Sequence, residues 1–265
     1  MHALKLRCRV DEKDWISAVL WELGTEGVTE RELPDGSLEL EAFFAAKVTA
    51  REFALFEPRW VEHGDEDWAE SWKTAWKPLE VGRRWFLTPD WRDDPAPEGR
   101  MKLVVHARQA SGSGYQPATQ LALIAMEEWV HARDRFLEWG CGSGILSSAA
   151  HLLGARAIVA CDVDAAAALE AVANLSARAV PADVFVGTGR SLRPGCFDVV
   201  AANMNAAAIE GYASELARST RPGGRLILSG FKSRRAKGVA VMMAAAGLSV
   251  RREYSHEDWR CLVMM

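Results

Sequence analysis

The sequence Phe-Leu-Glu-Trp-Gly-Cys-Gly-Ser-Gly-Ile-Leu at residues 136–146 decides the fold of the chain. A short apolar strand ends at Trp139, a glycine-rich turn follows, and an apolar helix is predicted over 145–153. A second strand at 157–161 then places Asp162 at its carboxyl end. Glycines let a ligand approach the turn, the helix start offers N–H groups and a positive dipole to an anion, and the acid can accept hydrogen bonds from ribose hydroxyls. This arrangement predicts a site for a nucleoside-containing cofactor.

The glycine spacing narrows the choice of cofactor. Dinucleotide-binding folds carry Gly-x-Gly-x-x-Gly. Here Gly140, Gly142 and Gly144 give Gly-x-Gly-x-Gly, and Ile145 stands where the third glycine would be. This pattern resembles the glycine loop of class I S-adenosylmethionine methyltransferases. An ordinary strand-to-helix turn is the alternative, but an acid 22 residues after Gly140, also at a strand end, favours the cofactor site.

Composition limits the class of protein. The chain has 265 residues, enough for two domains, with 49% hydrophobic and 26% charged residues, as in soluble globular proteins. A net charge of −4 gives no general attraction to nucleic acid, so no strong direct nucleic-acid binding is expected. Five scattered cysteines without a Cys-x-x-Cys pair predict neither a metal site nor a disulfide framework. The first residues lack an apolar signal core, so we expect a cytoplasmic protein without membrane contact.

Residues 1–63 are predicted to form a small ferredoxin-like α+β domain. The expected elements are, in order, a strand at 3–10, a helix capped by Asp11, a hairpin over 28–44, a short helix at 49–56 and a strand at 59–63. The domain has no glycine loop and no cluster of catalytic residue types. A structural or dimerising role and recognition of a macromolecular substrate are both open.

Three tryptophans spaced four residues apart, Trp68, Trp72 and Trp76, form one aromatic stripe on a predicted linker helix over 64–78. Pro78 ends this helix. Such a stripe is typical of a packing surface between domains rather than of a platform for stacking bases.

Residues 79–265 alternate helices and strands and are predicted to form a Rossmann-like, doubly wound α/β domain with seven strands. Ser111–Thr119 is a loop containing glycine and proline, either a flexible connection or a lid over the cofactor. Asn203 follows a strand at 197–202, at the sheet edge where ligands bind. Capping of the next helix is its alternative role. Beyond it we expect one helix at 206–220, a turn at 222–224, a strand at 225–229, a helix at 237–246 and strands at 248–253 and 260–264.

A basic run, Lys232, Arg234, Arg235 and Lys237, precedes this last helix. Cations at a helix start face the positive end of the dipole, where they cost stability. A solvated loop and a surface that binds an external anion are the two interpretations.

With these residues in place, the chain resembles the bacterial ribosomal protein L11 methyltransferase family. The resemblance covers nearly the whole chain, including residues 65–73, the glycine turn, Cys-Asp-Val-Asp at 161–164 and Ala-Asn-Met at 202–204. It implies S-adenosyl-L-methionine as cofactor. The residues implied to bind it are Thr119, Gly140, Asp162 and Asn203, with Gly142 in the same turn. It further implies methylation of amino groups, on lysine side chains or the N-terminus, of a large-subunit ribosomal protein recognised by the first domain.

Departures from the family pattern are concentrated in the loop before Thr119. They are Ala107-Arg108 for Pro-Gly, Ser111 for Phe, Ser113 for Thr, Gln116 for His and Ala118 for the first Thr, together with Glu138 for Asp in the turn. They leave two alternatives: a diverged paralogue that methylates another protein or a small molecule, and a non-catalytic binding protein with the same fold. No residue is assigned as a catalytic base, because desolvation in a closed pocket lowers the pKa of an acceptor amine.

Overall fold

The structure, a computed structural model, describes residues 2–25, 27–62, 76–105 and 114–265. The chain divides into two compact units, residues 1–76 and 77–265. Most of the predicted linker helix at 64–78 and the first part of the loop before Thr119 lie outside the described residues. No helix within the described ranges is long and apolar enough to cross a membrane.

The first unit contains one antiparallel sheet. Its elements are β1 (His2–Cys8), α1 (Lys13–Glu22), β2 (Gly27–Glu32), β3 (Leu38–Phe44), a 3-10 helix (Arg51–Phe56) and β4 (Arg59–Glu62). The strand order is β2-β3-β1-β4. The alternating apolar residues of β1 bury Leu4 and Leu6 against Ile16 and Leu20 of α1, which closes a core on one face of the sheet.

One local prediction in this unit was wrong, and the structure defines the type of a second element. The residue before α1 is Glu12 rather than Asp11; its carboxylate accepts the N–H of Arg9 (2.9 Å) and does not cap the helix. The short helix predicted at 49–56 is present as a 3-10 helix over Arg51–Phe56, which buries Phe53 but exposes Leu55. One anchoring aromatic residue is enough for a short 3-10 turn but not for a longer amphipathic helix.

The second unit begins with three short strands, β5 (Leu79–Val81), β6 (Trp85–Pro89) and β7 (Met101–Val105), in the order β5-β6-β7. The indole N–H of Trp85, which is fully buried, donates to the Leu123 carbonyl (2.9 Å). This bond fixes the small sheet to the helix that follows it. Strand β5 was not predicted, because three residues are too few for a periodic pattern.

The rest of the second unit is the predicted α/β domain. Its elements are α2 (Pro117–Trp129), β8 (Arg135–Trp139), α3 (Ile145–Leu152), β9 (Ala157–Asp162), α4 (Ala165–Ser176), β10 (Ala182–Val186), a 3-10 helix (Gly189–Ser191), β11 (Phe197–Asn203), α5 (Ala206–Gly211), α6 (Ala213–Ser219), β12 (Thr220–Lys232), α7 (Ser233–Ala245), β13 (Val250–His256) and β14 (Trp259–Met264). The sheet has seven strands in the order β10-β9-β8-β11-β12-β14-β13.

Strand direction in this sheet locates the ligand-binding edge. Strands β8 to β12 are parallel, and β14 is antiparallel to both neighbours. The chain leaves β8 toward β10 and then returns to place β11 on the other side of β8. Ligands of such sheets bind at the carboxyl edge where the strand order reverses. At the opposite edge, where the parallel strands begin, Arg225 and Asp134 form a buried ion pair (2.9 Å).

Two elements differ from the prediction near this edge. The helix predicted over 206–220 is two short helices, with Tyr212 at the break between them. The residues predicted as a turn at 222–224 lie inside β12, where Gly223 has φ +70° and the register with β11 shifts between Phe197 and Val199. A bulge of this kind absorbs extra residues without ending the strand.

Candidate functional site

The glycine turn after β8 has a backbone conformation that favours glycine at three positions. Gly140, Gly142 and Gly144 have φ values of +70°, +49° and +76°. The positive φ favours glycine at Gly140, and a Cβ there would lie 2.8 Å from Met204 Sδ, so the Met204 side chain would have to shift. The N–H groups of Gly140 and Cys141 both donate to the Cys161 carbonyl (2.8 and 3.0 Å), which fixes the turn against β9.

Asp162, at the carboxyl end of β9, is tied to the same turn. Its Oδ2 accepts the N–H of Gly142 and its Oδ1 accepts the N–H of Asp164, both at 3.0 Å. Two of about four carboxylate lone-pair positions are thereby used, which leaves acceptor capacity for hydroxyl groups of a ligand. The side chain is half-buried.

Asn203 ends β11 on the other side of β8. Its Nδ2 donates to Thr119 Oγ1 (2.9 Å), which joins the strand to the first turn of α2. The capping role considered for this asparagine belongs instead to Asn205, whose Oδ1 accepts the N–H of Ala208 (2.9 Å). The Asn203 side chain is therefore not used in capping α5.

A cavity of about 660 Å³ brings most of the predicted site residues together. Gly140, Gly142, Asp162 and Asn203 all line it. Thr119 is completely buried, and the described residues that line the cavity include its neighbours Gln116 and Ala118 but not Thr119 itself. The binding roles of all five residues stay predictions.

Glu138 is a site residue whose role the sequence analysis missed. It lies within the buried part of β8 and lines the cavity. Its carboxylate accepts the N–H groups of Leu146 (3.3 Å) and Ser147 (2.8 Å) and the Ser147 hydroxyl. The sequence predicted that the N–H groups at the start of this helix would be available to an anionic ligand. Two of them instead donate to the Glu138 carboxylate. Burial raises the pKa of this carboxyl to about 7, although the three hydrogen bonds oppose the shift.

The two cysteines of the site are packing residues. Burial raises the pKa of the Cys141 thiol, and the carboxylates of Glu138 and Asp162 raise it further. Burial likewise raises the pKa of Cys161 to about 12. Both thiols stay protonated near neutral pH, which makes them poor nucleophiles.

Aromatic residues form the other walls of the cavity. Trp139 lies 5.7 Å from the ring of Tyr212, and a Cβ on Gly189 would meet the Trp139 ring at 2.1 Å. Trp259, at the start of β14, is covered by the Lys232 ammonium group, 3.9 Å from the ring centroid. These two walls could not be predicted from the sequence. Tyr212 reaches the cavity because the helix is interrupted there, and Trp259 reaches it because β14 runs antiparallel to β12.

The basic run begins α7, which starts at Ser233, earlier than predicted. Arg235 pairs with both carboxylate oxygens of Glu210 (2.8 Å each), and Lys232 is held over the Trp259 ring. Arg234 and Lys237 are exposed. Part of the run therefore has protein partners, whereas these last two side chains face solvent.

Within the described ranges, no three His, Cys, Asp or Glu side chains are grouped so that they could hold a metal ion.

Comparison with known proteins identifies the family. The family model for ribosomal protein L11 methyltransferase matches residues 38–265. This chain belongs to the ribosomal protein L11 methyltransferase family. The relative of that name from Pelotomaculum thermopropionicum is 37% identical over 200 residues, an alignment covering 75% of this chain and 65% of the relative. The relative from Symbiobacterium thermophilum is 31% identical over 256 residues, covering 96% of this chain and 82% of its own length.

A solved structure supports the fold of this L11 methyltransferase family member. The ribosomal protein L11 methylase from Lactobacillus delbrueckii subsp. bulgaricus superimposes with a TM-score of 0.65, covering 71% of this chain and 96% of that one. The sequences are 21% identical, so the likeness concerns the fold. The predicted α/β methyltransferase architecture is confirmed.

Proposed function

We propose that this protein transfers methyl groups from S-adenosyl-L-methionine to amino groups of ribosomal protein L11. The observation that carries the proposal is one cavity, in a member of this family, lined by the glycine turn, Asp162 and Asn203. The relatives support this substrate, because they are named ribosomal protein L11 methyltransferase. Lysine side chains or the N-terminus as acceptors, and the cytoplasm as location, are part of the proposal.

The cavity fits the proposed cofactor. Asp162 has acceptor positions left for the ribose hydroxyls, and Gly140 and Gly142 let a ligand approach the turn without meeting a Cβ. Glu138 already holds the start of α3, so that helix offers fewer free N–H groups than a phosphate-binding loop needs. A cofactor with a carboxylate and an amino group suits this site better than one with a pyrophosphate.

The reaction requires little from the protein beyond alignment and exclusion of water. When bound, S-adenosylmethionine supplies an activated methyl group with a good leaving group. Asn203 orients the acceptor amine, and the walls formed by Trp139, Tyr212 and Trp259 keep water from it. Desolvation lowers the pKa of the amine as it enters the cavity, so that it gives up its proton to bulk water on entry and needs no dedicated base.

Mass spectrometry tests this function most directly. Purified L11 incubated with the enzyme and S-adenosylmethionine should gain mass in steps of one methyl group, located on amino groups by fragmentation. L11 incubated without enzyme is the control. Cofactor binding by calorimetry with no mass gain on L11 would reject the proposed substrate but not the cofactor site.

A second candidate is a methyltransferase of another protein or of a small molecule. Gln116 and Ala118, two of the departures from the family pattern, line the cavity, so they would contact a molecule bound there. Cell lysate incubated with enzyme and labelled cofactor would distinguish the two: label in L11 supports the first proposal, and label only in another band or in the low-mass fraction supports the second. A non-catalytic protein would transfer no label at all.

For the first unit we propose a ferredoxin-like domain that recognises the protein substrate. The strand order β2-β3-β1-β4 and the antiparallel pairing support this topology. Among the residues that the structure describes, those lining the cavity all follow residue 115. A chain of residues 64–265 should bind S-adenosylmethionine about as well as the full protein but lose most methylation of folded L11. Methylation at the full-length rate would show that substrate choice does not lie in the first unit.

A further inference from the structure

Met204 lines the cavity and is not among the residues that the sequence predicted for the site. It follows Asn203 directly, and its side chain is half-buried. Its Sδ and Cγ atoms lie only 2.8 and 3.0 Å from the position that a Cβ on Gly140 would take. We propose that the Met204 thioether packs against the bound cofactor and is a further cofactor-binding residue. This inference rests on the proposed function for the identity of the cofactor.

The strand order places Met204 between the two ends of a bound cofactor. The adjacent strands β9, β8 and β11 end at Asp162, at Trp139 just before Gly140, and at Asn203. A cofactor whose ribose is held at Asp162 and whose reactive end faces Asn203 therefore crosses the end of β8. Met204 lies against Gly140 at this crossing. Its thioether is thus in the path of the cofactor rather than at one end of it.

The main chain of Met204 is fixed by the end of β12. Its N–H donates to the Ser229 carbonyl (3.0 Å). A Cβ on Gly230 would lie 2.3 Å from the Met204 carbonyl oxygen and 2.7 Å from its backbone nitrogen, so the two segments are in direct contact. Because the main chain is held in this way, only the side chain of Met204 can adjust when a ligand enters the cavity.

The chemistry of methionine suits this position. Part of the Met204 side chain packs on the apolar core of the second unit, and the residue also lines the cavity. Methionine is unbranched and polarizable, so it fills irregular apolar surfaces and adapts to the shape of a neighbour. Asp162 can bind the polar hydroxyl groups of the cofactor, whereas its carbon-rich surface needs an apolar contact. Met204 supplies that contact.

The methyl signal of Met204 tests the contact directly. The chain has eight methionines. In protein labelled with ¹³C at the methionine methyl groups, the Met204 signal is the one missing from the spectrum of Met204→Leu. Saturating S-adenosylhomocysteine, the cofactor without its methyl group, should shift this signal. The signal of Met242, which is exposed on α7, should not move. A Met204 signal that stays in place at saturation would overturn the inference.

Cofactor affinity provides a second, independent test. Met204→Ala removes the contact and should weaken binding of S-adenosylhomocysteine about tenfold in calorimetry. Met204→Leu refills most of the lost volume and should recover most of the affinity. Met242→Ala is the matched control, because it removes an exposed methionine of the same unit. Equal affinity in wild type and Met204→Ala would reject the role. If thermal unfolding shows that Met204→Ala is not folded, the methyl signal of the wild type decides.

Failure of this inference can be distinguished from failure of the proposed function. Both measurements use S-adenosylhomocysteine alone, so they give the same result whether the enzyme methylates L11 or another substrate. If the wild type does not bind this compound, the cofactor site and the role of Met204 are both rejected. If the compound binds and the Met204 signal does not respond, only the role of Met204 is rejected.

Discussion

Glu138 makes the stability of the second unit depend on pH. Burial raises the pKa of this carboxyl from 4.5 to about 7 in the folded protein, whereas in the unfolded chain it titrates near its ordinary value. Between pH 4.5 and 7 the folded state therefore binds more protons than the unfolded state, and the free energy of unfolding falls as the pH rises. At about 1.4 kcal/mol per pH unit, this window corresponds to a loss of about 3 kcal/mol.

Urea unfolding of the wild type and Glu138→Gln at a series of pH values measures this effect. Subtracting one free energy of unfolding from the other cancels the titration of all other groups. The wild type should lose about 3 kcal/mol relative to the variant between pH 4.5 and 7.5, and the difference should be flat above that range. Because the two units can unfold in separate steps, hydrogen exchange of the peptide 135–147 identifies the step that includes Glu138.

A control variant shows whether removing any carboxylate changes the pH dependence of the free energy of unfolding. Glu98→Gln changes an exposed residue of the same unit, so its free energy of unfolding should run parallel to that of the wild type. A difference between wild type and Glu138→Gln that stays constant with pH would refute the reasoning. A free energy of unfolding that rises with pH in the wild type relative to Glu138→Gln would refute it as well.

Three further substitutions test other parts of the site. Asp162→Ala should weaken S-adenosylmethionine binding by about 1.5–3 kcal/mol, because charge-assisted hydrogen bonds are lost; unchanged affinity in calorimetry would reject the assignment. Gly230→Ala should destabilise the protein by at least about 2 kcal/mol in thermal unfolding, since Gly230 has φ +100° and a Cβ would lie 2.3 Å from the Met204 carbonyl oxygen. Reversing Arg234 and Lys237 to Glu should weaken capture of an anionic partner more at low than at high salt, with cofactor affinity unchanged; equal loss at both salt concentrations contradicts an electrostatic surface.

The sequence predicts the parts of the site that depend on strand ends. The residues after neighbouring parallel strands must meet at one edge, so the glycine turn, Asp162 and Asn203 could be placed together before any coordinates. The role of Glu138 could not, because it depends on which residue of β8 faces the first turn of α3. A buried acid in an apolar strand is a signal for such a contact, since it needs hydrogen-bond donors.

The elements that the sequence did not predict depend on tertiary packing. Tyr212 has ordinary helix propensity, yet the chain breaks there so that its ring can lie against Trp139. Pro222 and Gly223 have the composition of a turn, but pairing with β11 keeps them inside a bulged strand. Glu12 follows Asp11 directly, and local pattern does not decide which of two adjacent acids precedes a helix.

The cavity straddles the point where the strand order reverses, and this affects folding kinetics. One wall comes from β9, through Asp162, and the other from β11 and β14, through Asn203 and Trp259. A molecule bound between these walls contacts both groups of strands at once. These strands come together only when the sheet is nearly complete. A ligand that binds only after the sheet has formed should therefore slow the unfolding rate of the second unit and leave its folding rate unchanged.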